Sequence, residues 1–303
     1  LNSDKKVKIA IGQDSRLSGG DIKTALMAGM APFAIEIVDV GLSTTPAMFM
    51  STQYKDYATD AAIMITASHL PFEYNGLKFF TKTGGAEHED IEAILEYAYE
   101  IPEAFAEEEQ TAVVTEMDLL STYAADLQEK IRKGIASAEN PEKPLTGRRI
   151  IVDAGNGAGG FFVERVLQPL GANTSGSQFL DPDGTFPNHV PNPDNKAAMK
   201  SIQDAVIANK ADLGIIFDTD VDRSAIVDSD GKAFNRNNLI ALISAVLLNA
   251  EPGATIVTNS ATSAHLETFI TGLGGVQDRY LTGYRNVINR GIGLNEAGTN
   301  AVL

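Results

Sequence analysis

The chain has 303 residues, of which 44% are hydrophobic and 21% are charged, and it contains no cysteine. This composition predicts a soluble globular protein with more than one core. The formal net charge of -16 disfavours nucleic acid and anionic membranes as partners, because both repel an acidic protein. The lack of cysteine excludes disulfides, zinc-thiolate sites and thiol catalysis, and it agrees with a reducing compartment, so we expect a cytoplasmic protein.

Strands and helices alternate in the first part of the chain. The predicted elements are the strand VKIAIGQD, the helix DIKTALMAGMA, and the strands IEIVDVG and AAIMITAS. This β-α-β order indicates a mainly parallel sheet. An acidic helical tract follows, with the sequences HEDIEAILEYAYE and then EAFAEEEQ, and after it comes a second helix, DLLSTYAADLQEKIRKGI.

A proline-rich segment, SAENPEKPLTG, marks the first domain boundary. The second unit has the strand RRIIVD, the helices FFVERVLQPL and KAAMKSIQDAVIANK, and the strand DLGIIFDTD. The third has LIALISAVLLNA, TIVTNS and SAHLETFITGL; the first of these is too short to span a bilayer and is predicted to be a buried helix. We therefore predict consecutive related α/β domains with mixed, mainly parallel sheets over residues 1–143, 144–236 and 237–303.

Three aspartates follow the apolar segment IIF in the second unit. Asp218, Asp220 and Asp222 alternate along the chain, so in extended backbone their carboxylates leave the same face. Three like charges this close repel one another, and ligands that are all oxygen favour a hard cation such as magnesium. The alternative is an acidic loop whose carboxylates are solvated or cap backbone amides. Arg223, next to the trio, suits a site where phosphate binds metal and guanidinium together.

Ser68 stands at the predicted carboxyl end of a strand, where active sites of parallel sheets lie. A hydrolase elbow is not indicated, because the context is A-S-H, and we expect that His69 does not reach its neighbour's hydroxyl. The serine could simply cap a turn. A phosphorylated serine would instead need partners for about two negative charges. A dication on the aspartates, with Arg16, Arg223 and Lys78, could supply them.

Two glycine-containing loops allow alternative interpretations. GQDSRLSGGD places Arg16 before a helix whose amides could face an anion, or Ser18 caps that helix beside a surface arginine. DAGNGAGG matches G-x-G-x-x-G, with Asp181 at a suitable distance for a ribose contact. Because no apolar strand follows the next helix, we interpret DAGNGAGG as a tight strand-to-helix turn and dinucleotide binding as the lesser option.

Four motifs in this order resemble those of the phosphohexomutases, the phosphoglucomutase and phosphomannomutase family. TASHLPFEYNGLKFF is similar to the phosphoserine loop, GQDSRLSG to the arginine loop, VDAGNGAG to the second-domain turn and DTDVDR to the magnesium loop. The resemblance implies four α/β domains around a cleft and a resting enzyme phosphorylated on Ser68. It also implies magnesium held by Asp218, Asp220 and Asp222 together with Ser68.

The resemblance further implies the reaction, that of an isomerase acting as an intramolecular phosphotransferase in carbohydrate metabolism. The phosphoserine gives its group to a hexose monophosphate, the bisphosphorylated sugar turns over, and its other phosphate returns to the serine. The phosphate thereby moves between C1 and C6. Glucose or mannose 1,6-bisphosphate is the implied activator or intermediate, and a hexose phosphate is the implied partner.

We assign expected roles to residues of these motifs. Lys78 is the candidate proton carrier or charge partner at the sugar hydroxyl, with a pKa lowered by nearby cations. An exposed strand lysine is the alternative. His69 is expected to bind or position the phosphoserine loop, supported by Thr66 and Asn75.

The chain also departs from the family pattern. TGYRNVINR has Tyr284 and Arg285 where relatives often show a G-H-K-like segment, so no base role is transferred to Tyr284. The family's sugar-reading loop and its C-terminal phosphate-binding domain are expected beyond residue 303, so we expect the sequence to be a fragment of a longer chain. Nothing in the sequence indicates glucose or mannose preference, or the oligomeric state.

Two other functions remain open at this point. A haloacid-dehalogenase-like phosphatase also places D-x-D after an apolar strand, and Asp218 would then be the nucleophile. A non-catalytic, metal-binding remnant is the second alternative. The position of a covalent phosphate, on Ser68, on Asp218 or on neither, distinguishes the three.

Overall fold

The computed structural model describes residues 6–33, 35–100, 113–137 and 139–302. The chain divides into two compact units, residues 1–233 and 234–303. In the described residues, the first unit holds a six-stranded and a three-stranded sheet, and the second holds one sheet of three strands. The predicted α/β class with mixed, mainly parallel sheets is confirmed.

The six-stranded sheet has the order β5-β4-β3-β1-β2-β6. Its central strands β1, β2 and β3 are parallel, as is β6 beside β2, while β4 and β5 are antiparallel additions at one edge. The strands are β1 (Val7–Gln13), β2 (Ile35–Leu42), β3 (Ala61–Ile65), β4 (Leu77–Thr81), β5 (Gly84–Gly85) and β6 (Val113–Glu116).

Helices cover both faces of this sheet. They are α1 (Gly19–Met30), α2 (Thr45–Ser51), α3 (His88–Glu100) and α4 (Leu119–Ile135). Successive residues of a strand point to opposite faces. Ile11 therefore packs in the cluster that includes residues of α1, while Ala10 packs in the cluster that includes residues of α2 and α4. Burial of each large aliphatic side chain in these clusters contributes about 1.5–3 kcal/mol.

The second sheet has the order β7-β8-β9, with β8 parallel to β7 and antiparallel to β9. Its elements are β7 (Ile150–Asp153), a 3₁₀ turn (Ala158–Gly160), a π-helical turn (Val163–Leu167), α5 (Lys196–Asn209), β8 (Leu213–Phe217) and β9 (Ser224–Asp228). Apolar clusters lie on both faces of the sheet, one with Val152 and Val166 and the other with Ile151 and Ile202. Apolar side chains are therefore buried on both faces of β8, the strand that leads directly into the aspartates.

The unit of residues 234–303 has the parallel sheet order β11-β10-β12. Its elements are α6 (Arg236–Ala250), β10 (Thr255–Asn259), α7 (Ala264–Gly272), β11 (Val276–Tyr280), α8 (Tyr284–Glu296) and β12 (Ala301–Val302). The prediction that α6 is buried is wrong for the described residues. Its buried residues are Ser244 and Leu248, whereas Leu242 and Val246 are 49% and 63% exposed, because only one face of the helix packs on this small core.

None of the helices in the described parts of the chain combines the length and the apolar character that a membrane span requires.

Candidate active site

Ser68 lies in the loop that follows β3, with its backbone in the left-handed region at φ 52°. Its hydroxyl oxygen is 3.1 Å from Asp218 Oδ2 and 3.2 Å from His69 Nδ1. The expectation that His69 does not reach its neighbour's hydroxyl is wrong. A residue with positive φ departs from the strand or helix geometry on which that expectation was based, so adjacent side chains can lie close together.

The loop after β8 gathers the three aspartates. Asp218 and Asp220 are fully buried, and each of the three offers an oxygen within 4.8 Å of the others. The backbone amide of Arg223 donates to Asp218 Oδ1 at 3.0 Å, which closes the loop behind the carboxylates. The loop also holds Val221 at φ 64°, a conformation that costs a β-branched residue about 1–3 kcal/mol. The surrounding structure therefore holds the trio against repulsion and backbone strain.

The charge of this trio is only partly balanced by the described residues. Burial, followed by the charges of Asp220 and Asp222, raises the pKa of Asp218 to about 8. Lys78 Nζ lies 2.7 Å from Asp220 Oδ2 and 2.7 Å from Asp222 Oδ2. Burial alone would lower the pKa of Lys78, but the two carboxylates outweigh burial and raise it. The expected lowering of this pKa is therefore wrong, because the nearest charges are negative.

The donor set fits a hard divalent cation. Asp220 Oδ1 is buried and has no hydrogen-bond partner among the described residues. One lysine ammonium offsets one of the three negative charges that can develop here. Carboxylate oxygens at this spacing are the ligands that magnesium prefers. The trio can thus hold such an ion beside the Ser68 hydroxyl.

Two further side chains stand at the mouth of the site. Arg223 Nη1 lies 3.4 Å from His69 Nε2, and the side chain of Arg223 is exposed to solvent. Burial and then the charge of Arg223 lower the pKa of His69, so the neutral imidazole is favoured. The structure thus brings Ser68, His69, Lys78 and Arg223 together around the aspartates.

Arg16 lies elsewhere in the same loop cluster and is buried. Its guanidinium donates five hydrogen bonds, one to Asp14 and four to the backbone carbonyls of Pro71, Tyr74, Ser68 and Leu70. A guanidinium has five N–H groups, so all of them are used inside the protein. Phe186, from the second domain, covers the guanidinium with its ring at 5.3 Å. Arg16 is therefore not a surface arginine, and its guanidinium has no N–H group left to donate to a phosphate.

Thr66 and Asn75 fix the ends of the serine loop, as expected. Thr66 Oγ1 donates to Asp14 Oδ2 at 2.7 Å and accepts from the Ser68 amide at 2.8 Å. The Asn75 amide group donates to Ser18 Oγ at 3.0 Å. These bonds connect the serine loop to the loop that contains Arg16.

The turn DAGNGAGG packs against the aspartate loop. The Ala158 amide donates to the Thr219 carbonyl at 2.8 Å, and a β-carbon on Gly157 would lie 2.6 Å from that oxygen. The amides of Gly155, Asn156 and Gly157 also bond to protein acceptors. This agrees with a tight strand-to-helix turn and not with a dinucleotide cradle, because these four amides are occupied.

Sequence reasoning missed Thr45. Its hydroxyl donates to Asp220 Oδ2, and its amide donates to the Asp220 carbonyl at 2.9 Å. The STTP sequence, with Thr44 as helix cap, is a recognisable helix start and could have located α2. Nothing local could indicate a contact between residues 175 positions apart in the sequence.

Two models of one protein family match the parts of the chain that hold these features. The family model described as phosphoglucomutase/phosphomannomutase, alpha/beta/alpha domain I, matches residues 1–104, and that of domain II matches residues 122–231. A phosphoglucomutase of Neisseria meningitidis is 31% identical over 280 residues, which are 91% of this chain and 57% of that protein. A phosphomannomutase/phosphoglucomutase of Pseudomonas aeruginosa is 30% identical over 276 residues, 91% of this chain and 56% of that protein.

A solved structure shows the same architecture. The crystal structure of a phosphoglucomutase/phosphomannomutase family protein from Burkholderia thailandensis matches with a TM-score of 0.80 and 26% identity, over 97% of this chain and 61% of that one. The chain thus spans little more than half the length of the curated relatives quoted above. Because the two family models together match well over half of its residues, the chain belongs to the phosphoglucomutase/phosphomannomutase family.

Proposed function

We propose that this protein is a phosphohexomutase, which interconverts hexose 1-phosphate and hexose 6-phosphate through a phosphoserine at residue 68. The observation that carries the proposal is the distance of 3.1 Å between Ser68 Oγ and Asp218 Oδ2. The Ser68 hydroxyl of the first domain thus lies against an acidic trio of the second domain, of which Asp218 and Asp220 are buried. Membership in the family supports the same activity.

The reaction needs two phosphoryl transfers. In the first, the bond between the Ser68 oxygen and phosphorus breaks and that oxygen takes up a proton, while a sugar hydroxyl loses its proton and forms the new bond to phosphorus. In the second, the Ser68 hydroxyl loses its proton and accepts the other phosphate of the bisphosphorylated sugar, and the sugar oxygen that this phosphate leaves regains a proton. Glucose or mannose 1,6-bisphosphate is therefore the proposed intermediate. Phosphoryl transfer depends mainly on in-line positioning and charge stabilisation.

We propose that Asp218, Asp220 and Asp222 hold Mg²⁺, with an oxygen of the phosphoserine as a further ligand. Bound there, the ion supplies charge neutralisation to the transferred group. Because Asp218 contacts the Ser68 hydroxyl, an ion held by the trio would serve both the resting phosphoserine and the transfer.

The remaining side chains have complementary proposed roles. Arg223 is exposed at the mouth and can pair with phosphate oxygens, a contact that suits a planar guanidinium. His69, close to both Ser68 Oγ and Arg223, orients the serine oxygen. Lys78 balances the aspartate charge and is the proposed charge partner for the sugar hydroxyl. Arg16 shapes the serine loop through its carbonyl contacts.

Peptide mass analysis and a coupled assay test this proposal. The purified full-length protein should carry phosphate on Ser68 and convert glucose 1-phosphate or mannose 1-phosphate in the presence of magnesium. Comparison of its rates on the two substrates gives the sugar preference. Ser68→Ala should lose the phosphate and lower turnover at least about a thousandfold, as expected when a covalent nucleophile is removed. Ser175→Ala, at an exposed serine of the second domain, is the control and should behave as the unmodified protein.

Three results would contradict the proposal. Phosphate found transiently on Asp218 would indicate a phosphatase of the haloacid dehalogenase type. A full-length protein that carries no phosphate and turns over neither sugar would indicate a non-catalytic remnant. Full turnover by Ser68→Ala would remove the serine from the mechanism.

A further inference from the structure

Thr45 connects the two domains of residues 1–233 at the acidic trio. It is the first residue of α2 and is 9% exposed. Its amide and its hydroxyl both bond to one residue of the other domain, Asp220, through the backbone carbonyl and Oδ2. Two bonds from one residue fix both the backbone position and the side-chain rotation of that aspartate.

The two oxygens of the Asp220 carboxylate have different surroundings. Oδ2 accepts from the Thr45 hydroxyl and from Lys78 Nζ. Oδ1 is buried and has no hydrogen-bond partner among the described residues. A buried carboxylate oxygen without a donor is costly, because burial removes its water without replacing it. A cation that binds Oδ1 would remove this cost.

We propose that Thr45 is a positioning residue for cation binding at the trio. By holding Oδ2, its hydroxyl prevents rotation of the carboxylate and keeps Oδ1 as the oxygen that a divalent cation takes. The inference rests on the part of the proposed function that places Mg²⁺ on the aspartates. It adds that a first-domain residue completes a second-domain cation site, so the affinity for the ion depends on the contact between these domains.

Lys78 alone does not replace this contact. The lysine side chain is a flexible four-carbon chain, and its ammonium bonds to Asp220 and Asp222 together. It can therefore follow a rotated carboxylate. Thr45 has a short β-branched side chain at a fixed backbone position, which limits its rotation. The threonine hydroxyl is therefore the more rigid of the two donors to Oδ2.

Magnesium titration of the purified protein by calorimetry tests the inference without using catalysis. Thr45→Val keeps the shape of the side chain and removes the hydroxyl, whereas Thr45→Ser keeps the hydroxyl. Removal of groups that orient metal ligands weakens binding about 10- to 100-fold. We expect Thr45→Val to weaken Mg²⁺ binding at least about tenfold and Thr45→Ser to stay within about threefold of the unmodified protein.

A matched variant controls for the loss of any buried hydroxyl. Thr59 is also a buried threonine of the first domain, and its hydroxyl donates to the Ser51 carbonyl at 2.9 Å. Thr59→Val should leave Mg²⁺ affinity unchanged. Thermal melts without metal report whether each variant folds. If Thr45→Val does not fold, Thr45→Ser provides the measurement, because it retains the hydroxyl. A Thr45→Ser protein whose magnesium affinity is weakened by more than about tenfold would then overturn the inference.

The outcomes separate this inference from the proposed activity. Equal Mg²⁺ affinity in Thr45→Val and the unmodified protein overturns the inference, even if the protein is an active mutase. An unmodified protein that binds no Mg²⁺ overturns it as well. If Thr45→Val binds Mg²⁺ more weakly and the full-length protein turns over no hexose phosphate, the positioning role is supported and the mutase is contradicted.

Discussion

At the scale of single residues, Arg16 shows how a charged side chain can organise a site without touching the reacting atoms. It is fully enclosed, and four of its five hydrogen bonds end on carbonyls of the loop that begins at Ser68. Its charge is balanced by Asp14, whose pKa is raised mainly by burial. The conformation of the serine loop therefore depends on the planar fork of a guanidinium.

Arg16→Lys tests this dependence. An ammonium keeps the charge but cannot reach the same set of acceptors, so several buried carbonyls lose their donor. We expect the free energy of unfolding to fall by roughly 3 kcal/mol, since each buried unsatisfied group costs about 1–3 kcal/mol. Urea denaturation measures this change, and phosphorylation of Ser68 should fall in parallel.

Arg148→Lys is the matched control, because Arg148 is exposed. It should leave both the unfolding free energy and the phosphorylation unchanged. If Arg16→Lys is as stable as the unmodified protein and only its turnover falls, the arginine acts on the phosphate and our assignment is wrong.

At the scale of elements, the turn between β7 and the following helical segments packs directly against the aspartate loop. A β-carbon on Gly157 would lie 2.6 Å from the carbonyl oxygen of Thr219 and 2.7 Å from its Cα. Both contacts are with backbone, which cannot move aside as a flexible side chain can. The glycine is therefore required by close approach of two loops and not by a bound dinucleotide.

Gly157→Ala should displace the aspartate loop. We expect a loss of about 1–3 kcal/mol in the free energy of unfolding, as for other overpacked positions, together with weaker binding of Mg²⁺. Denaturation and magnesium titration measure the two effects.

Gly20→Ala provides the comparison, since nothing lies within 4 Å of the added carbon and the residue is in α1. It should stabilise the protein by up to about 1 kcal/mol, the helix preference for alanine over glycine. A Gly157→Ala protein with unchanged stability and magnesium affinity would show that the two loops separate easily.

At the scale of the whole molecule, stability should depend on pH through an ion pair outside the active site. The side chain of His189 is 4% exposed; its Nε2 lies 3.0 Å from Asp153 and its Nδ1 lies 2.9 Å from the Val190 carbonyl. Burial by itself lowers the pKa of His189, but the hydrogen bond and charge of Asp153 outweigh burial and raise it. With an acceptor at each nitrogen, the protonated ring satisfies both partners.

The sign of the pH dependence follows from linkage. A histidine whose pKa is raised on folding stabilises the folded state below its ordinary pKa, and this contribution is lost as pH rises through the folded-state value. We therefore expect His189→Gln to lower the free energy of unfolding by roughly 2 kcal/mol near pH 5.5, the worth of a hydrogen bond to a charged group, and by less near pH 8.5.

Urea denaturation of both proteins at the two pH values gives this difference. His88→Gln is the control, because the side chain of His88 is 83% exposed, and it should have little effect at either pH. If His189→Gln lowers the free energy of unfolding more at pH 8.5 than at pH 5.5, the folded protein holds this ring neutral.

Much of the fold could be predicted from local patterns. The alternation of apolar segments with helical tracts predicted β1, α1, β2 and β3, and also β8. These predictions succeed because the hydrophobic period and the secondary-structure propensity of a segment depend on residues that are neighbours in the chain. The edge strands β4 and β5 and the short helix α2 were not predicted, because brief elements depend on the sheet beside them. The domain limits at residues 143 and 236 stay predictions.

In the candidate site too, some features could be predicted from local sequence and others could not. Ser68 and the aspartate trio could be identified because each follows an apolar strand and has a chemically distinctive sequence. The raised pKa of Lys78, the contact of His69 with its neighbour, and the five bonds of Arg16 could not be predicted. Each depends on atoms that come from other elements of the fold.

The sequence by itself determined the α/β class, the acidic loop and the serine loop, because these features depend on residues close together in the chain. Only the tertiary structure decided which oxygen of Asp220 is left without a donor, and that Thr45 and Lys78 hold the other one. The physical reason is that a charge or hydrogen bond acts over a few ångströms of space, while the residues involved lie more than a hundred positions apart along the chain.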